Sequence, residues 1–390
     1  MGEMYLSELF KIVEGANRLD STKVNNYAAL LADKLESSGE APSARRLRKI
    51  LTKANNELRP AYIDQYRSIP VDSESRFPLL ENVKVSGKSE SYLPTLAAQE
   101  SINDFVATVE RREQLINRGI NADCTLLLYG PPGCGKTHLA EAIADKLNLP
   151  LYLARLDGII SSYLGSTAKN IRAIFEHVSK SPCILFLDEF DAIAKVRDDG
   201  QEIGELKRVV NSFIQTLDLY SKDLILIAAT NHEQLLDSAI WRRFNQTLHL
   251  ELPTMPQRKV LWEKFSNEIR WTTKEIDVLS DLSEGFSSSD IKTTCNQVLR
   301  RWITQDEQWS LKTTVQTLLK LSQNNCSKFR ISDLDNAKEL HKKLQAHNPK
   351  LYTQQIVGEL TGVSRSTLSR MLEPAPKPNA RKTRKIATRV

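Results

Sequence analysis

The sequence predicts an α/β fold: a five-stranded parallel sheet with helices on both faces, followed by an all-helical domain. Five short apolar runs carry the sheet: TLLLY (125–129), LYLARL (151–156), CILFLDE (183–189), LILIAAT (224–230) and QTLHLEL (246–252). They alternate with helical segments, as parallel strands joined by crossover helices do. The first run ends in the glycine-rich turn GPPGCGKT, and a helical pattern follows at Leu139, Ala140, Ile143 and Leu147. From Met255 to about His347 the periodicity is helical throughout.

Composition bounds the rest. A chain of 390 residues allows two or three domains, and 41% hydrophobic with 26% charged residues is enough for packed cores. The five cysteines (124, 134, 183, 295, 326) lack metal-ligand spacing, which points to reduced thiols and a cytoplasmic protein. No apolar stretch approaches the roughly 20 residues that span a bilayer. The opening MGEMYLSELF has no basic region ahead of an apolar one, so neither a signal peptide nor a membrane partner is expected. The net charge is +6, and residues 374–390 hold six basic and no acidic residues, so residues 1–373 are formally neutral. The body is therefore no basic nucleic-acid binder, and the tail alone carries the bias.

In chain order, residues 1–60 read as a small helical bundle. Leu6, Leu9, Phe10 and Val13 share a face; so do Val24, Tyr27, Leu31 and Leu35; Pro42 and Ser43 open a third helix with Leu47, Ile50, Leu51 and Leu58. A packing role and an adaptor-binding role both remain open. Residues 61–96 read as a linker with one short strand, 97–254 as the α/β core and 255–348 as a helical lid and its extension. Residues 349–373 read as a small two-helix element and 374–390 as a basic tail.

The turn after the first run matches G-x-x-x-x-G-K-[ST], the phosphate-binding loop. Its candidate binding residues are Gly130, Pro131, Pro132, Gly133, Cys134, Gly135, Lys136 and Thr137, with His138 next in line. The glycines allow a tight turn whose N–H groups converge on phosphate oxygens, and the following helix points its dipole at them. Lys136 would reach the β- and γ-phosphates, and the Thr137 hydroxyl would ligate Mg²⁺. The third run ends in Asp188 and Glu189. Asp188 would hold Mg²⁺ through water, and Glu189 would orient and deprotonate the attacking water. Asn231, after the fourth run, could contact the γ-phosphate or that water, although Asn after a strand is also ordinary turn chemistry.

Further segments follow in a fixed order: SSYLGSTAKNIRAIFE, FLDEFDAIA, GELKRVVNSFIQTLD, AATN, LDSAIWRRFNQTLHLELP and GFSSSDIKTTC. Together they resemble the AAA family proper, the group that includes katanin and spastin, over about residues 97 to 300. Several segments look closest to bacterial AAA ATPases sometimes encoded beside a subtilisin-like serine protease. The resemblance implies a P-loop AAA ATPase core and a helical lid, with ATP and Mg²⁺ as cofactors. It makes Asn231 the first sensor, and Arg242 and Arg243 paired arginine fingers acting on the neighbouring subunit's γ-phosphate. It therefore implies a homo-oligomeric ring, normally a hexamer. A guanidinium supplied in trans stabilises the transferring phosphoryl group and makes hydrolysis depend on assembly. Tyr163, Leu164 and Gly165 match a pore loop that grips extended peptide, with Ser162 where the family often has a charge; a second pore loop is placed around 198–201. Gly285 to Asp290 match the start of the lid helix. No D-I-G-G-L-type entry is found; LPTLAAQESI (93–102) stands there, so adenine contacts stay unassigned.

Near the end, Ile356, Val357 and Leu360 close one helix, Gly362 supplies a turn, and Ser364 caps a second helix with Leu368, Met371 and Leu372. The pair resembles a helix-turn-helix of the resolvase kind. Its second helix would offer Arg365, Ser366, Thr367, Ser369 and Arg370 to DNA. Two short helices extending the lid are the other reading. Three functions follow as expectations: a ring-forming ATPase that remodels, threads or unfolds a protein; a DNA-associated regulator working through the C-terminal helices and tail; and an ATP-dependent regulator of a companion protease.

Overall fold

The structure, a computed structural model, describes residues 5–17, 21–57, 69–72, 76–83, 94–155, 164–192, 203–221, 224–266, 269–305, 308–321 and 331–373. The chain divides into two compact units, residues 1–251 and 252–390.

The first unit opens with α1 (Leu6–Asn17), α2 (Ser21–Ser37) and α3 (Ala41–Glu57). The α2 stripe is covered, with Tyr27 and Leu31 buried. The α1 stripe is not covered by the described residues. Leu6, Leu9, Phe10 and Val13 are 37%, 44%, 54% and 55% exposed. Instead, α1 meets α2 at Gly15, where a Cβ would stand 3.1 Å from Val24 Cγ2. Ion pairs flank that contact: Lys34 Nζ to Glu8 Oε1 at 2.6 Å, and Lys23 Nζ to Glu14 Oε2 at 3.2 Å. A helical period shows that a face is apolar, not that this chain covers it.

The core is one sheet of six strands: β1 (Glu81–Val83), β2 (Cys124–Tyr129), β3 (Leu151–Arg155), β4 (Ile184–Asp188), β5 (Ile225–Thr230) and β6 (Gln246–His249). Its order is β1-β3-β4-β5-β2-β6. The five predicted strands pair in parallel, and β1 adds an antiparallel edge against β3, with Asn82 opposite Tyr152. The strands read as unbroken apolar runs because both faces are buried. On one face, Leu185, Leu187 and Leu226 pack in a core with Ile171 and Phe175 of α7 (Leu164–Val178) and Phe213 of α8 (Ile203–Tyr220). On the other, Leu126, Leu128, Phe186 and Ile227 share a core with Phe105 of α4 (Leu96–Glu110) and Leu139 of α6 (Lys136–Leu147). Two short helices complete the unit, α5 (Arg112–Asn117) and α9 (Ser238–Trp241).

The second unit has no strand among its described residues. Its helices are α10 (Met255–Phe265), α11 (Thr273–Leu282), α12 (Ser288–Gln305), α13 (Leu311–Leu321), α14 (Ala337–His347), α15 (Gln354–Thr361) and α16 (Arg365–Leu372). Trp262 is fully buried and donates Nε1–H to Ser283 Oγ at 3.0 Å. The buried Arg258 guanidinium donates to Ser280 O and Pro253 O, at 2.8 and 2.7 Å, so the cation sits among carbonyls rather than unpaired. Ser287 and Asp290 cap α12 reciprocally: Ser287 N donates to Asp290 Oδ2 at 2.9 Å, and Asp290 N donates to Ser287 Oγ at 3.2 Å. Among the described residues, no helix is long and apolar enough to cross a membrane.

Candidate nucleotide site

Sheet order places the site. Strand β5 lies between β4 and β2. The carboxyl ends of these three strands therefore bring Asp188 and Glu189, Asn231, and the phosphate loop to one edge, where open α/β sheets bind ligands.

The loop leaves β2 at Gly130, whose φ is +137°. A Cβ there would lie 2.2 Å from Leu250 O, so only glycine fits against the chain leaving β6. Gly133 and Gly135 also have positive φ, +76° and +91°. Pro131 is half-buried, Pro132 is exposed and Cys134 is buried. Helix α6 starts at Lys136. The Lys136 ammonium is buried and donates to Gly130 O at 2.7 Å and Pro131 O at 2.9 Å. Burial pushes it below the usual lysine range, partly offset by Cys134 and by the acids Asp188, Asp191 and Glu233. Two carbonyls use two of its three N–H groups, and a partly desolvated cation with a donor left over suits a polyphosphate. His138 is exposed and its ring pairs with Glu141 Oε2 at 3.0 Å, so its side chain is engaged along the helix.

Thr137 Oγ1 donates to Asp188 Oδ2 at 3.3 Å, bringing the loop hydroxyl and the strand-end acid together. Hydroxyl and carboxylate oxygens are the donor set that Mg²⁺ takes beside substrate phosphates. Glu189 is exposed and has φ +52°, uncommon for a residue with a side chain. Its N–H is held by Asp188 Oδ1 at 2.9 Å, and the next N–H, of Phe190, returns to Ala229 O at 2.8 Å. Hydrogen bonds on both sides therefore hold the backbone in this conformation, and the carboxylate faces solvent one residue beyond Asp188. Asn231 is half-buried, and its side chain makes no hydrogen bond with the described residues. Beside it, Thr230 Oγ1 donates to Asp191 Oδ1 at 3.3 Å and accepts from His232 N at 3.0 Å.

The two arginines differ. Arg243 makes a two-pronged pair with Asp218 of α8, Nε to Oδ1 at 2.7 Å and an Nη to Oδ2 at 3.0 Å. Arg242 is exposed, with no ion pair among the described residues. The turn that carries them is fastened to β2. Thr125, 1% exposed, donates Oγ1–H to Arg243 O at 3.0 Å and accepts from Asn245 N at 2.9 Å. Asn245 Nδ2 adds a bond to Asp123 O at 2.8 Å.

A comparison with protein families matches residues 126–252 to the ATPase family associated with various cellular activities (AAA). The AAA family ATPase y4kL of Sinorhizobium fredii is 36% identical over 283 residues, covering 71% of this chain and 83% of that protein. The chain belongs to the AAA family of ATPases. As an AAA ATPase it binds ATP and hydrolyses it to ADP and phosphate. It is also similar to the ATP-dependent zinc metalloprotease FtsH of Parabacteroides distasonis, 30% identical over 51% of this chain and 31% of that protein. A 26S proteasome regulatory subunit homolog of Methanocaldococcus jannaschii is 33% identical over 50% of this chain and 54% of its own length. The chain thus spans about a third and about half of these two relatives.

Tyr163 and residues 198–201 are outside the described residues, and Leu164 and Gly165 form the first turn of α7. Arg365, Ser366 and Arg370 are exposed on α16, with Thr367 and Ser369 half-buried. Three residues escaped the sequence reading: Thr125, Asp191 and Asp218. A hydroxyl inside the buried run TLLLY was the one available signal for Thr125. Asp191 follows Asp188 by three in FLDEFD, and nothing local marks Asp218.

Proposed function

We propose that this AAA ATPase works as a ring, hexameric by family resemblance, in which ATP turnover remodels, threads or unfolds a protein. The observation that carries this is the contrast at the arginine turn. Arg243 is committed to Asp218 in its own chain, while Arg242 projects uncommitted from a turn anchored to the phosphate-loop strand. An arginine on an anchored turn, with no ion pair among the described residues, is what a neighbouring subunit's γ-phosphate requires. In this reading Arg242 is the trans finger, and Arg243, expected from sequence to act beside it, positions the turn.

Lys136 and the loop N–H groups bind the phosphates. Mg²⁺, held at Thr137 and Asp188, would withdraw charge from the β- and γ-phosphate oxygens. Glu189 orients the attacking water and takes its proton, and Asn231 contacts the γ-phosphate or that water. The similarity to two relatives, a metalloprotease and a proteasome regulatory subunit homolog, favours a polypeptide substrate. They leave room for a companion protease, the subtilisin-like partner being one form of it. Tyr163, Leu164 and Gly165 would grip the substrate.

The test is the variant Glu189→Gln, purified with ATP and Mg²⁺. It retains ATP binding, accumulates as a ring and loses turnover. Turnover at the wild-type rate would remove Glu189 as the base. A protein that stays monomeric with ATP bound would remove the ring and Arg242's role with it.

A further inference from the structure

Residues 337–373 of the second unit include three helices that pack on one another. Helix α14 packs against both α15 and α16, which also pack on each other. Leu340, Leu344, Ile356, Val357, Leu360 and Leu368 are buried, each at most 4% exposed. Each helix has a side-chain N-cap: Asn336 for α14, Thr353 for α15 and Ser364 for α16.

The turn between α15 and α16 is tight and specified. Gly362 adopts φ +78°, and both its N–H and that of Val363 return to Gly358 O, at 2.8 and 3.0 Å. Gly358 itself is buried, and a Cβ there would lie 2.5 Å from Val363 O. The second helix is therefore brought close across the first, which a larger residue at 358 would prevent. A third helix now braces the pair whose spacing resembles a helix-turn-helix.

The surface that α16 leaves open carries two arginines and a serine, with Met371 44% exposed near its end. Arg365, Ser366 and Arg370 are exposed, while Leu368 is fully buried on the opposite side. Residues 337–373 hold six basic and three acidic residues, and the next 17 hold six basic and none acidic. A formally neutral body of 373 residues thus ends in a strongly basic stretch, attached to a braced helix. Eight residues of helix are about 12 Å long, comparable with the major groove's width.

We propose that residues 337–373 form a duplex-DNA-reading module, with α16 entering the major groove. Arg365, Ser366 and Arg370 supply contacts to phosphates and base edges, and residues 374–390 add backbone affinity. The module is built into its unit. Lys312 Nζ of α13 donates to Thr361 O at 2.9 Å, and the buried Tyr352 hydroxyl donates to Asp281 of α11. The proposal rests on neither the ring nor the polypeptide substrate.

The experiment measures binding of the full chain to a labelled random-sequence duplex of about 30 base pairs, across a salt series. Three variants are compared: Arg365→Ala with Arg370→Ala, a chain ending at residue 373, and Arg172→Ala as an exposed arginine elsewhere. The double variant is expected to weaken binding about tenfold or more and to flatten the salt slope by about two. The shortened chain should bind more weakly yet still depend on Arg365 and Arg370. Arg172→Ala should match wild type, and ATP turnover should be unchanged in the double variant. No duplex binding at low salt would overturn the proposal. So would full affinity in the double variant, or binding that vanishes with residues 374–390 and ignores Arg365 and Arg370. Equal binding of single strands, equally insensitive to Arg365 and Arg370, would overturn it as well.

Discussion

Thr125→Val tests whether the arginine turn is held by the phosphate-loop strand. The substitution keeps shape and burial and removes one hydroxyl. That hydroxyl serves two backbone groups of the turn, donating to Arg243 O at 3.0 Å and accepting from Asn245 N at 2.9 Å. Each lost bond is worth about 1 kcal/mol net, and a main-chain group left buried without a partner costs about 1–3 kcal/mol. Relief by water at the partly exposed turn lowers the sum to about 2–4 kcal/mol, against a typical total of about 5–15. Thr125→Ser keeps both bonds and should lose only about 1 kcal/mol, for the missing methyl group. Two measurements separate stability from function. Hydrogen exchange of peptides spanning 242–249 should rise in Thr125→Val and not in Thr125→Ser. ATP affinity, which the proposed function assigns to the loop, should stay near wild type while turnover falls at least about tenfold, because misplacing the proposed finger Arg242 would cost about two orders of magnitude per ångström. Unchanged exchange at 242–249 with wild-type turnover would refute the anchoring role of Thr125.

Two further outcomes follow from single sites. Gly130→Ala places a Cβ 2.2 Å from Leu250 O at φ +137°, whereas Gly119→Ala, at φ +74°, meets nothing within 4 Å. Urea titration should show about 1–2 kcal/mol lost for Gly119→Ala and at least about 2 kcal/mol more for Gly130→Ala, with ATP binding lost only in the latter; equal losses would remove close approach as the reason for the glycine. His177 is half-buried, and burial, aided by Lys180, lowers its pKa below 6.5. The unfolded chain then takes up the proton first, so the contribution of neutral His177 is present above pH 6.5 and is lost as pH falls through its folded value. In His177→Gln, the stability lost between about pH 7.5 and about pH 5 should be smaller than in wild type; an equal loss would show that His177 does not set this slope.

The sheet and the loop were legible because each has a local cause. A strand buried on both faces must be apolar throughout, and a turn that wraps phosphate must spare its side chains, so TLLLYGPPGCGKT declares both. Asp188 and Glu189 were legible for the same reason, as acids ending an apolar run. What local sequence could not supply was pairing at a distance. Asp218 lies 25 residues before Arg243, and no period or spacing joins them. The α1 stripe is a related case: its period marks an apolar face, but not that α1 meets α2 at Gly15 with ion pairs beside it. The C-terminal helices were read as a pair because α14 looked like the end of the lid pattern. Only packing shows that it braces α15 and α16.

One strand connects the two halves of the proposed catalytic unit. At its start, β2 holds the arginine turn through Thr125; at its end, it becomes the phosphate loop at Gly130. Tyr129, between them, meets Trp241 edge-on at 5.2 Å and stacks on His249 at 4.9 Å. Trp241 directly precedes Arg242, so the residue before the loop and the residue before the finger are in contact. In the proposed ring, each subunit's Arg242 reads its neighbour's phosphate while its own loop holds another. A displacement of the finger has two short routes into β2, a pair of hydrogen bonds at Thr125 and an aromatic contact at Tyr129. Trp241→Ala removes the second route and leaves the first. It should therefore reduce the dependence of ATP turnover on enzyme concentration and nucleotide occupancy more than it reduces ATP binding. If cooperativity survives that substitution unchanged, the aromatic contact is packing alone, and Thr125 is left as the route by which the finger and the loop share a strand.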